Sequence, residues 1–248
     1  MGSTAAVPHG PGPSDAASVR GYGRMSGSSG LVFAVLLVVA LVLVHRAPGL
    51  GVPDAVYTAF YGGDPDILVT VGVYIVPFAG IAFLWHMIAT QTLVDSYPVA
   101  PSVIPRGLHL AAGVLWVAML FAGTAAVGAV ALLSAFAVTP LPGVDETRAL
   151  AAVGYGLVFI YGVRAAGMYM ITTTTLLRNT GILPLWLSVI SYLAAAFLLV
   201  STTFHPSILL VLPGWVVVVS IVVLVRAGRT PSPEPTTGSD HHDDPDQR

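Results

Sequence analysis

The sequence contains no cysteine, no lysine and few charged residues of either sign. Without thiols, the chain offers no disulfide, no thiolate metal site and no cysteine nucleophile. Only 9% of the 248 residues are Asp, Glu, Lys or Arg, whereas soluble domains carry about 25%. The ten basic residues, all arginine, are scattered along the chain, so no basic surface for nucleic acid is expected. A soluble fold is therefore excluded.

The sequence also lacks the motifs that identify common classes of enzyme. It has no phosphate-cradling glycine loop, no histidine pair spaced as on a metalloprotease helix and no serine elbow. No carboxylate lies inside an apolar stretch, although transporters and pumps usually place Asp or Glu at mid-membrane depth. The sequence therefore favours a protein without enzymatic activity, and its main interpretation includes no cofactor.

Apolar residues make up 55% of the chain and give a mean hydropathy of +0.84. These residues form stretches that are apolar on all sides. Strands of a membrane barrel would instead alternate apolar and polar residues. Most of the stretches approach or exceed the roughly 20 residues that a helix needs to cross a bilayer. There are six of them: 30–44, 67–90, 107–138, 149–177, 184–204 and 207–225. The pattern predicts an all-α, polytopic membrane protein, with a six-transmembrane-helix bundle at 30–229.

The two ends of the chain have no apolar face to bury. Residues 1–29 are rich in Gly, Ser, Pro and Ala, and residues 230–248 in proline and acids, so both are predicted to be disordered tails. Arginines near helix ends bias a loop toward the cytoplasm. Six lie on the side that holds both termini, and two on the other: Arg20, Arg24, Arg106, Arg178, Arg226 and Arg229, against Arg46 and Arg148. We expect a multi-pass protein of the cell membrane with both tails cytoplasmic.

The outer segment between the first two stretches contains aromatic residues at helical spacing. Tyr57, Phe60 and Tyr61 follow Pro53 and Asp54, which are residues typical of a helix start. This pattern predicts a short aromatic helical turn that lies on the outer interface and anchors the chain there.

Arg164 lies close to the middle of the fourth apolar stretch, where a guanidinium costs about 2.5–3.5 kcal/mol on insertion scales. A bound anion, water or helix-end carbonyl groups must compensate its charge, since no acid lies at that depth. In one interpretation Arg164 extends toward Asp95 or a lipid phosphate and serves packing or topology. In the other, Arg164, Tyr161, Asp95 and Arg106 bind an anionic small molecule or lipid from the cytoplasmic half.

Four histidines lie near predicted helix ends. His86 and His109 lie at similar shallow depth on the inner side of two successive helices, and His45 and His205 lie on the outer side. A transmembrane di-haem carrier needs two axial imidazoles at one level for each iron. Two interpretations remain open: interfacial histidines bonded to water or backbone, and a haem- or copper-binding electron carrier in which His86 and His109 hold the inner metal.

Two segments resemble known membrane families. Residues 106–116, RGLHLAAGVLW, resemble a helix start in copper-resistance-type and di-haem cytochrome membrane proteins, which implies haem or copper as the alternative cofactor. Residues 176–188, LLRNTGILPLWLS, are similar to the inner connector of a family of uncharacterised bacterial six-helix membrane proteins, and the absence of lysine is typical of an actinobacterial member. The second resemblance implies a six-helix fold without an assigned activity. The predicted partners are the lipid bilayer, an anionic small molecule or lipid, and another membrane protein.

Overall fold

The computed structural model describes residues 13–62, 66–97, 103–136 and 142–227, and within them the chain forms only helices and connecting turns. The α-helices of this part are α1 (Pro13–Val44), α2 (Asp54–Gly62), α3 (Ile67–Asp95), α4 (Val103–Phe136), α5 (Val144–Tyr155), α6 (Val163–Asn179), α7 (Leu185–Val200) and α8 (Val211–Ala227). A π-helical segment, Gly156–Gly162, joins α5 to α6, and a 3-10 turn, Pro206–Leu210, leads into α8. The predicted all-α class is confirmed.

Five helical segments of the described chain are long and apolar enough to cross a membrane. They are Ala17–Val44, Ile67–Asp95, Val103–Phe136, Val144–Asn179 and Pro206–Arg226. The fifth predicted stretch folds as α7, which has only 16 residues. At a rise of about 1.5 Å per residue it measures roughly 24 Å, less than the hydrocarbon core of a typical bilayer. The structure thus supports a membrane-spanning helical bundle with five long apolar helices.

The first helix begins at Pro13, so the expectation of a disordered tail is wrong for residues 13–29, while residues 1–12 and 230–248 lie outside the described residues. Ser26 is fully buried, and a side chain at Gly27 would meet the Leu224 side chain at 2.3 Å. A run of Gly and Ser resembles a linker in water. In a membrane bundle, however, the backbone has to be bonded internally, and small residues let helices approach closely.

The long helices pack antiparallel, which defines two ends of the bundle. The Ser26 and Thr90 hydroxyls, 2.7 Å apart, join the first half of α1 to the last turns of α3, and Gly27 joins α1 to the last turns of α8. We call this the termini end: α1, α4 and α7 begin here, and α3, α6 and α8 end here. The opposite end carries α2 and is called the α2 end.

Helix α2 confirms the short aromatic helix predicted from the sequence. One of its aromatic residues is, however, a packing residue, because Tyr57 is 1% exposed and its hydroxyl donates to the Gly49 carbonyl at 3.2 Å. The Arg148 guanidinium lies 4.9 Å from the Tyr57 ring centre and forms a 2.6 Å ion pair with Asp54. Helix α2 is therefore fixed onto the bundle through α5.

Aromatic side chains fill the middle of the bundle. Phe83 packs against Phe33, Trp116 and Tyr169, with ring centres 4.9, 4.6 and 4.8 Å away. We call these four side chains the aromatic layer. Such packed rings add stability beyond their buried area. The layer separates buried polar groups at the termini end from an apolar cavity at the α2 end.

Candidate functional site: an apolar cavity at the α2 end

A cavity of about 290 Å³ lies at the α2 end, between the last turns of α1, the middle of α4, α5 with the π-helical segment, and the turn before α8. Its walls are mostly apolar and include Leu41, Val42, Leu120, Val127, Ala151 and Val158. Val42 and Leu210 line it and are also 64% and 45% exposed, so the cavity opens to the exterior there. Concave apolar sites with a few polar groups are the usual form of a small-molecule site.

Polar side chains line part of this cavity. The Ser207 and Thr124 hydroxyls are bonded within the protein, Ser207 to His205 Nδ1 at 2.8 Å and Thr124 to the Leu120 carbonyl. The remaining polar side chains are His45, Tyr61 and Tyr155, which we call the mouth donors. Across the described ranges, no side-chain hydrogen bond engages any of the three, so they are available to a ligand.

Tyr61 remains protonated at physiological pH. Burial, and to a smaller extent the neighbouring Tyr57 and Tyr155 hydroxyls, raise the pKa of its hydroxyl to about 12. A neutral phenol can donate a hydrogen bond as well as accept one. Tyr61 therefore presents a donor proton to the cavity over the whole physiological range.

A small void of about 20 Å³ lies beside the cavity on the side of the aromatic layer. Leu41, Leu120, Val158 and Leu209 line both spaces. The void also contacts Trp116, a member of the aromatic layer, and Leu198 of α7. Apolar side chains thus line the bundle from the cavity to the aromatic layer.

Glycines fix the helix crossing beside the cavity. Gly123 of α4 and Gly154 of α5 both line the cavity, and a Cβ at Gly154 would lie 2.5 Å from the Gly123 carbonyl oxygen. The two backbones are therefore in contact at this point. This close approach of α4 and α5 forms the cavity wall on this side.

Arg164 supports the neighbouring wall. One guanidinium nitrogen donates to the Ile160 carbonyl at 2.8 Å and to the Phe159 carbonyl at 3.3 Å, and the other donates to the Ser201 carbonyl at 3.1 Å. Ser201 caps the C-terminal end of α7, and Phe159 lines the cavity. Carbonyl groups of the π-helical segment and of a helix end thus compensate the half-buried charge, which was one of the sequence-based options.

The four residues predicted to bind an anion do not form one site. Asp95 and Arg106 form an ion pair with each other at the termini end, where α3 ends and α4 begins. The Arg164 guanidinium instead bonds to the residue that ends α7 on the α2 side. Tyr161 is 60% exposed and therefore lies on the outer surface of its helix.

His86 and His109 belong to the buried polar groups at the termini end. Both side chains are fully buried rather than interfacial. His86 Nδ1 lies 2.8 Å from the Ser26 carbonyl, which can only accept, so this nitrogen carries a proton. His109 Nδ1 lies 3.0 Å from the Thr173 hydroxyl, and its Nε2 faces the Met87 carbonyl at 3.3 Å.

These contacts bear on metal binding, because bis-imidazole ligation requires one free nitrogen on each ring. His86 Nε2 is buried without a hydrogen-bond partner, whereas both nitrogens of His109 face protein groups. As placed, the pair does not fit bis-imidazole ligation of haem or copper. In the part of the chain that the structure describes, no three His, Asp or Glu side chains cluster as metal ligands.

Of the cavity residues, the sequence patterns included only His45, as a histidine near a helix end, and Tyr61, in the aromatic turn. Small residues at Gly123 and Gly154 on successive helices are a signal for close approach, but they do not reveal a void beside the crossing. Comparison with family models, curated proteins and solved structures gave no match for this chain. The site therefore has to be interpreted from its own chemistry.

Proposed function

We propose that this chain is a six-span protein of the cell membrane that binds the apolar chain of a lipid in the cavity at the α2 end. The observation that carries the proposal is the cavity itself, with apolar walls, a few polar groups and an opening between α1 and the start of α8. The apolar walls can contact the methylene groups of such a chain, and the polar groups can orient its head.

The sixth span of this proposal is α7. Helix α6 ends at the termini end and α8 begins at the α2 end, so the intervening α7 connects the two ends. Polar contacts hold this short helix to its neighbours, since the Trp215 indole donates to Ser191 at 2.8 Å and the Tyr192 and Thr175 hydroxyls lie 2.9 Å apart. Arg164 donates to the Ser201 carbonyl at the end of α7, so the end of this short helix is hydrogen-bonded within the protein.

The cytoplasmic location of both termini rests on the arginine distribution. Arg106, Arg178 and Arg226 lie at the termini end, and Arg46 and Arg148 at the α2 end. The end with more arginines is favoured on the cytoplasmic side. The cavity then opens toward the outer leaflet of the cell membrane.

The lipid-binding proposal is tested by filling the cavity. Ala151 is buried and lines it, so Ala151→Phe places a ring in the space that a lipid chain would occupy. The matched control is Ala152→Phe, at the next residue of α5, which is exposed. Native mass spectrometry of protein released from phosphatidylglycerol nanodiscs should show retained lipid on the wild type and on Ala152→Phe, and at least about tenfold less on Ala151→Phe. Equal retention by all three proteins would refute the proposal.

Haem or copper binding is the second candidate, supported by the unpartnered Nε2 of His86. It requires His109 to release either Thr173 or Met87, since both of its nitrogens are engaged. A Soret band, or stoichiometric copper, that is lost in both His86→Ala and His109→Ala would establish it. A colourless, copper-free preparation from haem-supplemented cells would leave the two histidines as packing residues of the bundle.

A further inference from the structure

We infer that the ligand of the cavity is an amphiphile whose head is an oxyanion, either a carboxylate or a phosphate, bound by His45, Tyr61 and Tyr155. The inference rests on the proposed function, because it assigns the head group of a chain that the cavity holds. It concerns the polar lining, whereas the proposed function concerns the apolar walls.

The mouth donors are the basis for an acceptor head. Tyr61 and Tyr155 each carry a hydroxyl proton, and an imidazole at His45 supplies one N–H, or two when protonated. Hydrogen bonds from such groups to an ionised oxygen are shorter and stronger than bonds between neutral groups. A head with several acceptor oxygens therefore matches the donors that these three lining side chains offer.

Charge near the cavity also favours an anion. Among the described residues that line it there is no carboxylate. The neighbouring acids Asp54 and Asp66 are paired with Arg148 and Arg46, at 2.6 and 3.0 Å. A cationic head would meet donors and no compensating carboxylate.

Four probes of equal chain length test this assignment in a non-ionic detergent: palmitate, hexadecyl phosphate, hexadecyltrimethylammonium and hexadecane. We expect palmitate, hexadecyl phosphate or both to bind at least about tenfold more tightly than the cation, as measured by native mass spectrometry. The variant Tyr61→Phe/Tyr155→Phe should lose about tenfold in affinity for the anionic probes and retain its affinity for hexadecane. Tyr161→Phe is the control, because Tyr161 is exposed and does not line the cavity.

The outcomes separate this inference from the proposed function. If the cation binds as tightly as both anions, or if the double variant keeps its affinity for them, the oxyanion head is wrong. If Ala151→Phe still blocks binding in those cases, the cavity remains a lipid site. If Ala151→Phe blocks no probe, the proposed function fails first.

A preference for palmitate indicates a free fatty acid as the source, and a preference for hexadecyl phosphate indicates a lipid phosphate. Should the double variant fail to fold, Tyr61→Phe alone and His45→Ala provide the same comparison.

Discussion

At the scale of single residues, Arg164 shows how a charge is accommodated inside an apolar bundle. Its guanidinium has a planar arrangement of donors, and here they reach carbonyl groups on two helices: Ile160 and Phe159 of its own chain segment, and Ser201 after α7. The π-helical segment lies just before Arg164 in the chain, and it supplies two of these carbonyls. The residue thus stabilises the cavity wall and the end of α7 together.

Replacing Arg164 by lysine should lower the thermal stability of the protein in detergent. The ammonium keeps the charge but lacks the fork that bonds the Ile160 and Ser201 carbonyls simultaneously. These bonds are partly exposed, so we expect a loss of about 1 kcal/mol rather than the larger cost of a fully buried, unpaired carbonyl. Thermal unfolding followed by circular dichroism measures the change. The control is Arg178→Lys, whose side chain is exposed at the end of α6. Equal midpoints for Arg164→Lys and wild type would contradict the assigned role.

At the scale of helices, glycines decide where two elements touch. Gly30 shows this for α1, because a Cβ there would lie 2.2 Å from the Ser220 hydroxyl and 2.7 Å from His86 Nδ1. Gly123 and Gly154 show it for α4 and α5, where backbone meets backbone. Without a hydrophobic force between helices in lipid, this close packing is a main source of association.

The substitution Gly154→Ala should destabilise the bundle by about 1–3 kcal/mol, as overpacking does in well-packed cores. The new methyl group would lie 2.5 Å from the Gly123 carbonyl oxygen, which belongs to the backbone and cannot rotate away. Gly107→Ala is the control, because a Cβ there meets no atom within 4 Å. Unfolding midpoints of the two variants in one detergent provide the measurement. Loss of stability in Gly107→Ala alone would be the opposite of what the packing predicts.

At the scale of the whole molecule, the proposed threading places the loops at the α2 end outside the cell. The chain has no native cysteine, so single cysteines can be introduced without background. Thr180→Cys should be protected from an impermeant thiol reagent in intact cells, whereas Gly143→Cys and Thr203→Cys should be labelled. Labelling of Thr180 alone would invert the orientation. Labelling of Gly143 with protection of Thr203 would show that α7 does not cross.

Composition and hydropathy by themselves determined the class of the protein. The scarcity of charge and the long apolar stretches required helices, because a backbone in lipid has to satisfy its own hydrogen bonds. The same reasoning located α2 from Pro53, Asp54 and three aromatic residues, and it recognised that a charge at Arg164 needs compensation. These results follow from local chemistry, which a sequence carries directly.

Tertiary structure alone decided which residues meet. The Gly and Ser run before residue 30 is helical because α3 and α8 pack against Ser26 and Gly27, and neither neighbour is visible from the run itself. The residues predicted to join Arg164 in one site lie apart in the structure. The Arg164 side chain bonds a helix-end carbonyl at the α2 end, whereas Asp95 and Arg106 form an ion pair at the other end. A cavity is a gap between helices, and its position depends on how all of their side chains pack together, so no local sequence pattern specifies it.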